Sequence, residues 1–505
     1  MLAALAGAAA GAGTSAGLYL TGAGFGHGVG MSQYGAAGYA QHGYNYRQIL
    51  QAYYAQTTLG SVTPRRRVTV LLKPSGGAGF TGATVIKGSS IALSATATYS
   101  VQVAGAQLRL LSAGQTVGVF TAPLTVTGPG PLTLAGRGAY RGALVFTPSA
   151  KGGVMTVNSV GLDNYVRGVV AAEMPSNWPL QALEAQAVAA RTYAISAGAV
   201  AAGFSLYSDT RSQMYGGVAA ETPATDAAVA ATAGQIVEYD GTPATTYFFA
   251  SSGGETESVQ NVWTGVTPEA WLVSQHDPYD DSFNNPYYRW SAQFGLKTAA
   301  AKLHKLVDGS LEGIEVLSRG VSPRIVEAQI VGTRGRTDVT GAELQAALGT
   351  PSTWMSLTTI TATGTRTTSA ASPTQTAPVT TTTVTGPSTT SSVTGVTQTT
   401  ATSTDTTTTA TQTATTPTST TGGNGLSEDA ERASVAAVKP SYMVHGTIFP
   451  ARAGARVTVQ RRHDGWETVA RAQERPSGVY SVAVRSPGTY RVLYGTVVGP
   501  EVTIR

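Results

Sequence analysis

A chain of 505 residues with 42% hydrophobic content is long enough for two or three domains and a real core. It contains no cysteine, which excludes disulfides, thiolate catalysis and any zinc site built on Cys, without placing the chain inside or outside a cell. The net charge of +5 suits adhesion to an anionic cell wall; a nucleic-acid binder would cluster its Lys and Arg, and only Arg65 to Arg67 and Arg461 to Arg462 cluster here.

Residues 1–17, MLAALAGAAAGAGTSAG, read either as the apolar, cleavage-like part of a signal peptide that lacks its basic segment or as a flexible Ala/Gly extension, the first being favoured. No later segment approaches the roughly 20 apolar residues of a membrane span. The stretch GAGFGHGVGMSQYGAAGYAQHG, residues 22–43, carries alternating glycines that permit tight turns and close approach to a ligand or another strand. Ser32 is placed to open a helix through Tyr39. Asn45 is placed to cap a second one carrying Tyr46, Ile49, Leu50 and Tyr53. His27, among the glycines, is either hydrogen-bonded within the turn or a side chain that contacts a ligand or handles a proton. From residue 67 to 160, β-rich runs such as VTVLL, AQLRLLS, GALVFT and VMTVNSV alternate with Gly, Pro and Ser turns, predicting a sheet-rich subdomain.

The stretch that follows carries the chemistry. In LDNYVRGVVAAEMP, from Leu162, Asp163 is a candidate cap and Leu162, Tyr165, Val166, Val169 and Val170 recur at helical spacing, with Pro175 as the stop. Glu173 therefore falls at a helix C-terminus among apolar neighbours, where the peptide dipoles and burial both disfavour the ionised form. A carboxylic acid held protonated near neutrality is what a general acid requires, although a lone Glu at a helix end is more often a solvated or capping residue. A second helix should follow, with Asn177 as candidate cap, Pro179 in the first turn and one narrow apolar stripe of Leu180, Leu183, Ala187, Ala190 and Ala194. Glu184, Gln186, Arg191 and Tyr193 flank that stripe.

Between residues 204 and 290 polar and aromatic side chains gather at loop positions, among them Asp209, Gln213, Tyr215, Ser251, Ser252, Trp263, Trp271 and Asp277. This composition suits a glycan groove and suits ordinary surface loops equally. No G-x-S-x-G elbow surrounds Ser251 or Ser252, so neither is expected to be a nucleophile. Residues 296–357 mix helix, strand and a last helix capped by Thr340, with His304 on the surface. Residues 361–429 form a Thr/Ser/Pro-rich segment read as a linker or stalk, and residues 430–505 regain strand signals that suggest a small β-sandwich. The whole reads as α+β.

The string GVVAAEMPSNWPLQALEAQAVAARTYA resembles the signature of the SpoIID/LytB family of peptidoglycan proteins. SDTRSQMYGG from Ser208, TAGQIVEYDGTPATTYFFASSGGETES from Thr232 and VTGAELQAALGTPSTW from Val339 resemble its later blocks in the same order. GHGVGMSQYGA resembles a further block that commonly follows the STW segment, so its place at the front implies a permuted arrangement in which this loop docks near the site. The resemblance implies a SpoIID-like domain over residues 18–360, divided into a glycine-histidine motif at 22–60, a β-rich part at 67–160 and a catalytic part at 161–357. It also implies lytic transglycosylase activity, with Glu173 as catalytic acid and Arg191 as the matched arginine. Tyr215, Ser251 and Ser252 fall inside matching blocks and are expected, with His27, Gln186 and Tyr193, to contact substrate. Sporulation members of the family bind zinc through Cys and His; without Cys no metal is expected, and no other cofactor.

The implied reaction cuts the MurNAc–GlcNAc β-1,4 bond and leaves a 1,6-anhydro end, with peptidoglycan glycan strands as partner and a secreted, wall-associated location. Two other classes stay open. One is a noncatalytic activator of a cell-wall amidase; the other is a wall-anchored structural protein that only holds glycan.

Overall fold

The computed structural model describes residues 13–367 and 441–505, apart from residues 64, 197, 199 and 202. Ser32 accepts a hydrogen bond from the Gly35 N–H at 3.2 Å and starts helix α1, Gln33–Gln41. Asn45 and Gln48 form a reciprocal capping box that starts α2, Tyr46–Tyr53. Helix α3, Leu162–Glu173, is entered from Gly161, so Asp163 lies in its first turn and does not cap it. Helix α4, Leu180–Ser196, is the centre of this part of the molecule: α1, α2, α3, α5 (Pro223–Ala231) and the strand Gln235–Tyr239 all pack on it. The expected single apolar stripe is thereby corrected, because twelve of its seventeen residues are buried, Glu184, Gln186, Arg191 and Thr192 among them. Its run of alanines lets neighbours approach from every side, and the polar residues between them are enclosed along with the apolar ones.

The β-rich part forms two six-stranded sheets. One contains Arg67–Lys73, Val154–Gly161 and Ala143–Pro148 as successive neighbours, and the other is built on Ala78–Thr81, Tyr99–Ala104 and Gln107–Ser112. Phe80 from the second stacks on Phe146 from the first at 5.3 Å. The strand Val154–Gly161 runs directly into α3, so the sheet aims the helix whose last residue is Glu173.

A third group gathers α6 (Leu296–Lys302), α7 (Gly341–Leu348) and the sheet Leu311–Arg319, Ile325–Gly332, Gly335–Thr340 around Leu18, Leu20, Ile330 and Leu344. Thr340 caps α7 in a box with Glu343. The strand Gly13–Gly22 lies between Trp290–Gly295 and Met355–Thr367. Residues 13–17, read as the end of a leader or a flexible extension, are therefore paired sheet. So are residues 361–367, read as the start of the linker: their β-branched threonines register against residues 13–16 (Thr361 opposite Ala16, Thr363 opposite Thr14). The rest of that linker, residues 368–429, lies outside the described residues. Ser441–Phe449 and Val479–Val484 extend the same five-stranded sheet, and a four-stranded sheet made of Arg456–Arg462, Trp466–Gln473, Gly488–Tyr494 and Val497–Ile504 covers it through Tyr19, Ile360, Tyr480 and Tyr490. The molecule is α+β and strand-rich, with seven α-helices among the described residues. Among those residues no helix is long and apolar enough to cross a membrane.

Candidate active site

Glu173 ends α3 because Pro175 lacks the N–H that a further turn would require; the Met174 N–H still closes on Val170 O at 3.0 Å. Its carboxylate is largely covered by protein but borders a cleft of about 690 Å³. The Met214 N–H donates to Oε1 at 2.7 Å, and Gln33 Nε2 reaches Oε2 at 3.4 Å. Burial raises the Glu173 pKa, and the two donors, which favour the ionised form, only partly oppose it. Among the residues lining the cleft Glu173 is the sole carboxyl group.

The glycine-histidine loop contributes to the same cleft. Phe25, Gly26, His27 and Gln33 line the same cleft as Glu173, beside Tyr193, Tyr247, Phe249 and Trp263. Both ring nitrogens of His27 are engaged by the backbone. Its Nδ1 accepts from the Val29 N–H at 3.1 Å, which fixes the proton on Nε2, where it is donated to Phe248 O at 3.1 Å. Burial, with the Arg324 charge adding to it, pushes the imidazole down to about 4, so the ring is neutral and presents an aromatic face. Trp263 and Phe249 lie 5.2 and 5.3 Å from that ring, and Tyr247 lies 4.6 Å from Trp263. The cleft thus pairs one acid with a wall of aromatic faces.

A buried polar network holds the loop in place. Arg324, 1% exposed, donates to Gly26 O at 3.2 Å and Ser252 O at 3.1 Å, and Gly28 has room for no side chain against its guanidinium. Asp280 receives Ser32 Oγ at 2.6 Å, Ser251 Oγ at 2.7 Å and the Gly253 N–H at 2.8 Å. Asp277 receives Ser252 Oγ at 2.7 Å and the Tyr53 hydroxyl at 2.9 Å; burial, with Asp280 adjacent, pushes its carboxyl up to about 8.

Several expected site residues are placed elsewhere. Arg191 does not line the cleft: its fully buried guanidinium meets Asp163 Oδ1 at 2.7 Å and donates to the carbonyls of Ala187, Val229 and Gln235. It ties α4 to α3, α5 and a strand, which is a role in holding the helices. Gln186 is completely enclosed in α4, with no partner for its amide among the described residues. Tyr215 donates to Asn158 Oδ1 at 2.8 Å and packs against Tyr140 and Tyr165. Ser251 and Ser252 are fully buried in the Asp277–Asp280 network. Tyr193 is half-buried and does line the cleft. Gln33, the Met214 N–H and Tyr247 join the site through the fold. Gln33 sits inside the GMSQYGA block, which was its signal; Tyr247 sits in the TTYFFASS block.

The Cys-and-His zinc site that the family resemblance implies does not fit this chain. It has no cysteine, and among the described residues no three His, Asp or Glu side chains converge on a common point.

Residues 150–239 match the family model SpoIID, Stage II sporulation protein. Stage II sporulation protein D of Bacillus subtilis is 35% identical over 173 residues, 31% of this chain and 49% of that protein. The amidase enhancer of the same organism is 37% identical over 115 residues, 23% of this chain and 15% of that protein. An uncharacterised protein of Brachyspira hyodysenteriae is 37% identical over 155 residues, 30% of this chain and 42% of its own. The matched stretches span about half the length of these relatives or less.

Proposed function

The chain belongs to the SpoIID/LytB family through residues 150–239, and from that membership we propose that it is a peptidoglycan lytic transglycosylase acting outside the cytoplasm on the wall. The observation that carries this reading is one partly desolvated carboxyl group, Glu173, alone among aromatic faces in an open cleft. An ordinary glycosidase uses two carboxylates at a fixed separation, one as acid and one as base or nucleophile. A cleft with a single carboxyl favours a reaction in which one acid serves twice.

In that reaction Glu173 donates its proton to the oxygen leaving C1 of the muramic acid, and the glycosidic C–O bond breaks. The resulting carboxylate then takes the proton of the same sugar's 6-hydroxyl as its oxygen closes on C1, giving the 1,6-anhydro ring with no water consumed. The Met214 N–H and Gln33 hold the two carboxylate oxygens in place through the charged interval. Tyr193, Tyr247, Trp263 and the neutral face of His27 supply apolar surface for sugar rings.

Digestion of purified glycan strands followed by mass spectrometry tests the reading. Wild type should yield anhydromuramic ends and Glu173→Gln at least about a hundredfold fewer, with unchanged thermal unfolding. Reducing ends without the anhydro ring would replace it with hydrolysis. The likeness to an amidase enhancer favours a second reading, activation of a cell-wall amidase. It takes over if wild type leaves glycan intact while accelerating an added amidase.

A further inference from the structure

Residues 441–505 contain nine arginines, no lysine and four acids. That excess of five positive charges equals the net charge of the whole chain, so the remaining residues balance to zero. The excess positive charge of this protein lies in residues 441–505.

Register places much of it on one surface. Arg456 lies opposite Gln473 and Thr458 opposite Arg471, so Arg456 and Arg471 are diagonal neighbours on one face of adjacent strands. Gln460 lies opposite Arg491, and Arg491 Nε donates to its side chain at 2.8 Å. Arg462 lies opposite Trp466. The alternate residues Val457, Val459, Tyr490 and Val492 are buried, which puts the arginines on the outer face. Among the described residues none of these arginines forms an ion pair, and a single acid, Glu501, registers on that face, opposite Arg491. Arg452 and Arg456 also line a depression of about 620 Å³ against the strand Met355–Thr367, and Arg456 and Arg471 a second of about 470 Å³ beside it.

We propose that this outer sheet face binds a linear polyanion whose charges are phosphodiesters and which carries no bases. A guanidinium offers a planar fork of donors that matches a phosphate bidentately, and arginine without lysine is the composition such contacts favour. Side chains two apart on a strand repeat about every 7 Å and neighbouring strands lie about 4.8 Å apart, a grid that a flexible phosphodiester chain can follow. Nucleic acid is disfavoured because the one aromatic ring on the face is already occupied: the Arg491 guanidinium sits 4.3 Å and that of Arg462 6.0 Å from the Trp466 centroid. No free aromatic platform is left for base stacking.

The test uses the full chain and poly(glycerol phosphate), with single-stranded DNA and polygalacturonate as comparison ligands, measured by titration calorimetry. Binding to poly(glycerol phosphate) should weaken by about tenfold or more between about 50 and 200 mM salt. It should fall at least as far in the double variant Arg456→Ala, Arg471→Ala, with thermal unfolding unchanged. Arg334→Ala, Arg336→Ala, which removes exposed arginines from another hairpin, should bind as wild type, and so should Glu173→Gln. Absence of binding, an unaltered affinity in the Arg456/Arg471 variant, or equal affinity for DNA or polygalacturonate would each overturn the proposal.

Discussion

Two sets of desolvated acids, Glu173 and the pair Asp277 and Asp280, are reached by the neighbouring residues Gln33 and Ser32 and sit in contrasting settings. Glu173 is covered on most sides yet borders an open cleft, and only one strong donor, the Met214 N–H, reaches it at 2.7 Å. Asp277 and Asp280 have no such opening: hydroxyls from Ser32, Ser251, Ser252 and Tyr53 and backbone N–H groups close around them. Desolvation raises the pKa of both Glu173 and Asp277. What separates a candidate acid catalyst from a structural clamp is therefore access, since a perturbed carboxyl with every oxygen filled from within has nowhere to send its proton.

The largest test of that contrast removes the proposed proton donor and leaves the clamp. Glu173→Gln keeps the side chain's shape and should lower anhydromuramic product by roughly 10²–10⁴-fold, the span of general acid catalysis, without moving the unfolding midpoint. Asp280→Ala should do the reverse. It strands buried donors from Ser32, Ser251, Ser252 and Gly253 and should cost about 3 kcal/mol or more, seen as a fall in the denaturant midpoint. If Glu173→Gln unfolds the protein as readily as Asp280→Ala, the two groups are of one kind and the comparison fails.

Arg191 sharpens the same contrast, because it belongs to the same sequence string as Glu173. Asp163→Asn leaves the enclosed guanidinium without its carboxylate and should destabilise by about 3 kcal/mol, with product yield per folded molecule unchanged. A selective loss of turnover would return Arg191 to the site.

These residues also mark what the sequence could convey. Helical spacing, Pro175 and the caps at Ser32, Asn45 and Thr340 are local, and each produced the element expected of it. Glu173 was legible for the same reason, since its place at a helix end follows from the residues around it. The fate of Arg191 and Gln186 depends on how many neighbours surround α4, and that number is set by helices and a strand distant along the chain. Ser251 and Ser252 show the limit most clearly: the partners that enclose them, Asp277, Asp280 and Arg324, come from later segments whose spacing carries no periodic signal. The first strand was obscured differently, because Ala, Gly, Thr and Ser in residues 13–17 have the composition of a leader and became sheet through Met355–Thr367, with Trp290–Gly295 joining on the other side only from Gly17 onward.

Acidification and alkalinisation separate the two regions again, at smaller amplitude. His27, ordinarily near 6.5, is held near 4, so between those values the unfolded chain takes up a proton that the folded loop refuses, and stability falls as pH drops through that window. Asp277, ordinarily near 3.8, is held near 8, so its contribution has the opposite sign: full stability below 3.8, declining as pH rises toward 8. Replacing His27 by Phe should flatten the acid side of a midpoint-against-pH curve and leave the alkaline slope. A curve unchanged in shape would remove His27 from the account.

The finest test concerns the 3.4 Å contact between Gln33 and Glu173. That amide favours the carboxylate, so Gln33→Leu should push the Glu173 pKa further up. In the proposed mechanism the first proton transfer needs the protonated acid, so turnover should be lost as pH rises through this pKa, and the alkaline limb of the rate profile should move to higher pH. A merely structural glutamine would lower the rate at every pH and leave the limb in place. A shift toward lower pH would mean that the group limiting the reaction is one whose ionised form Gln33 does not favour, and Glu173 would lose its role as the donor.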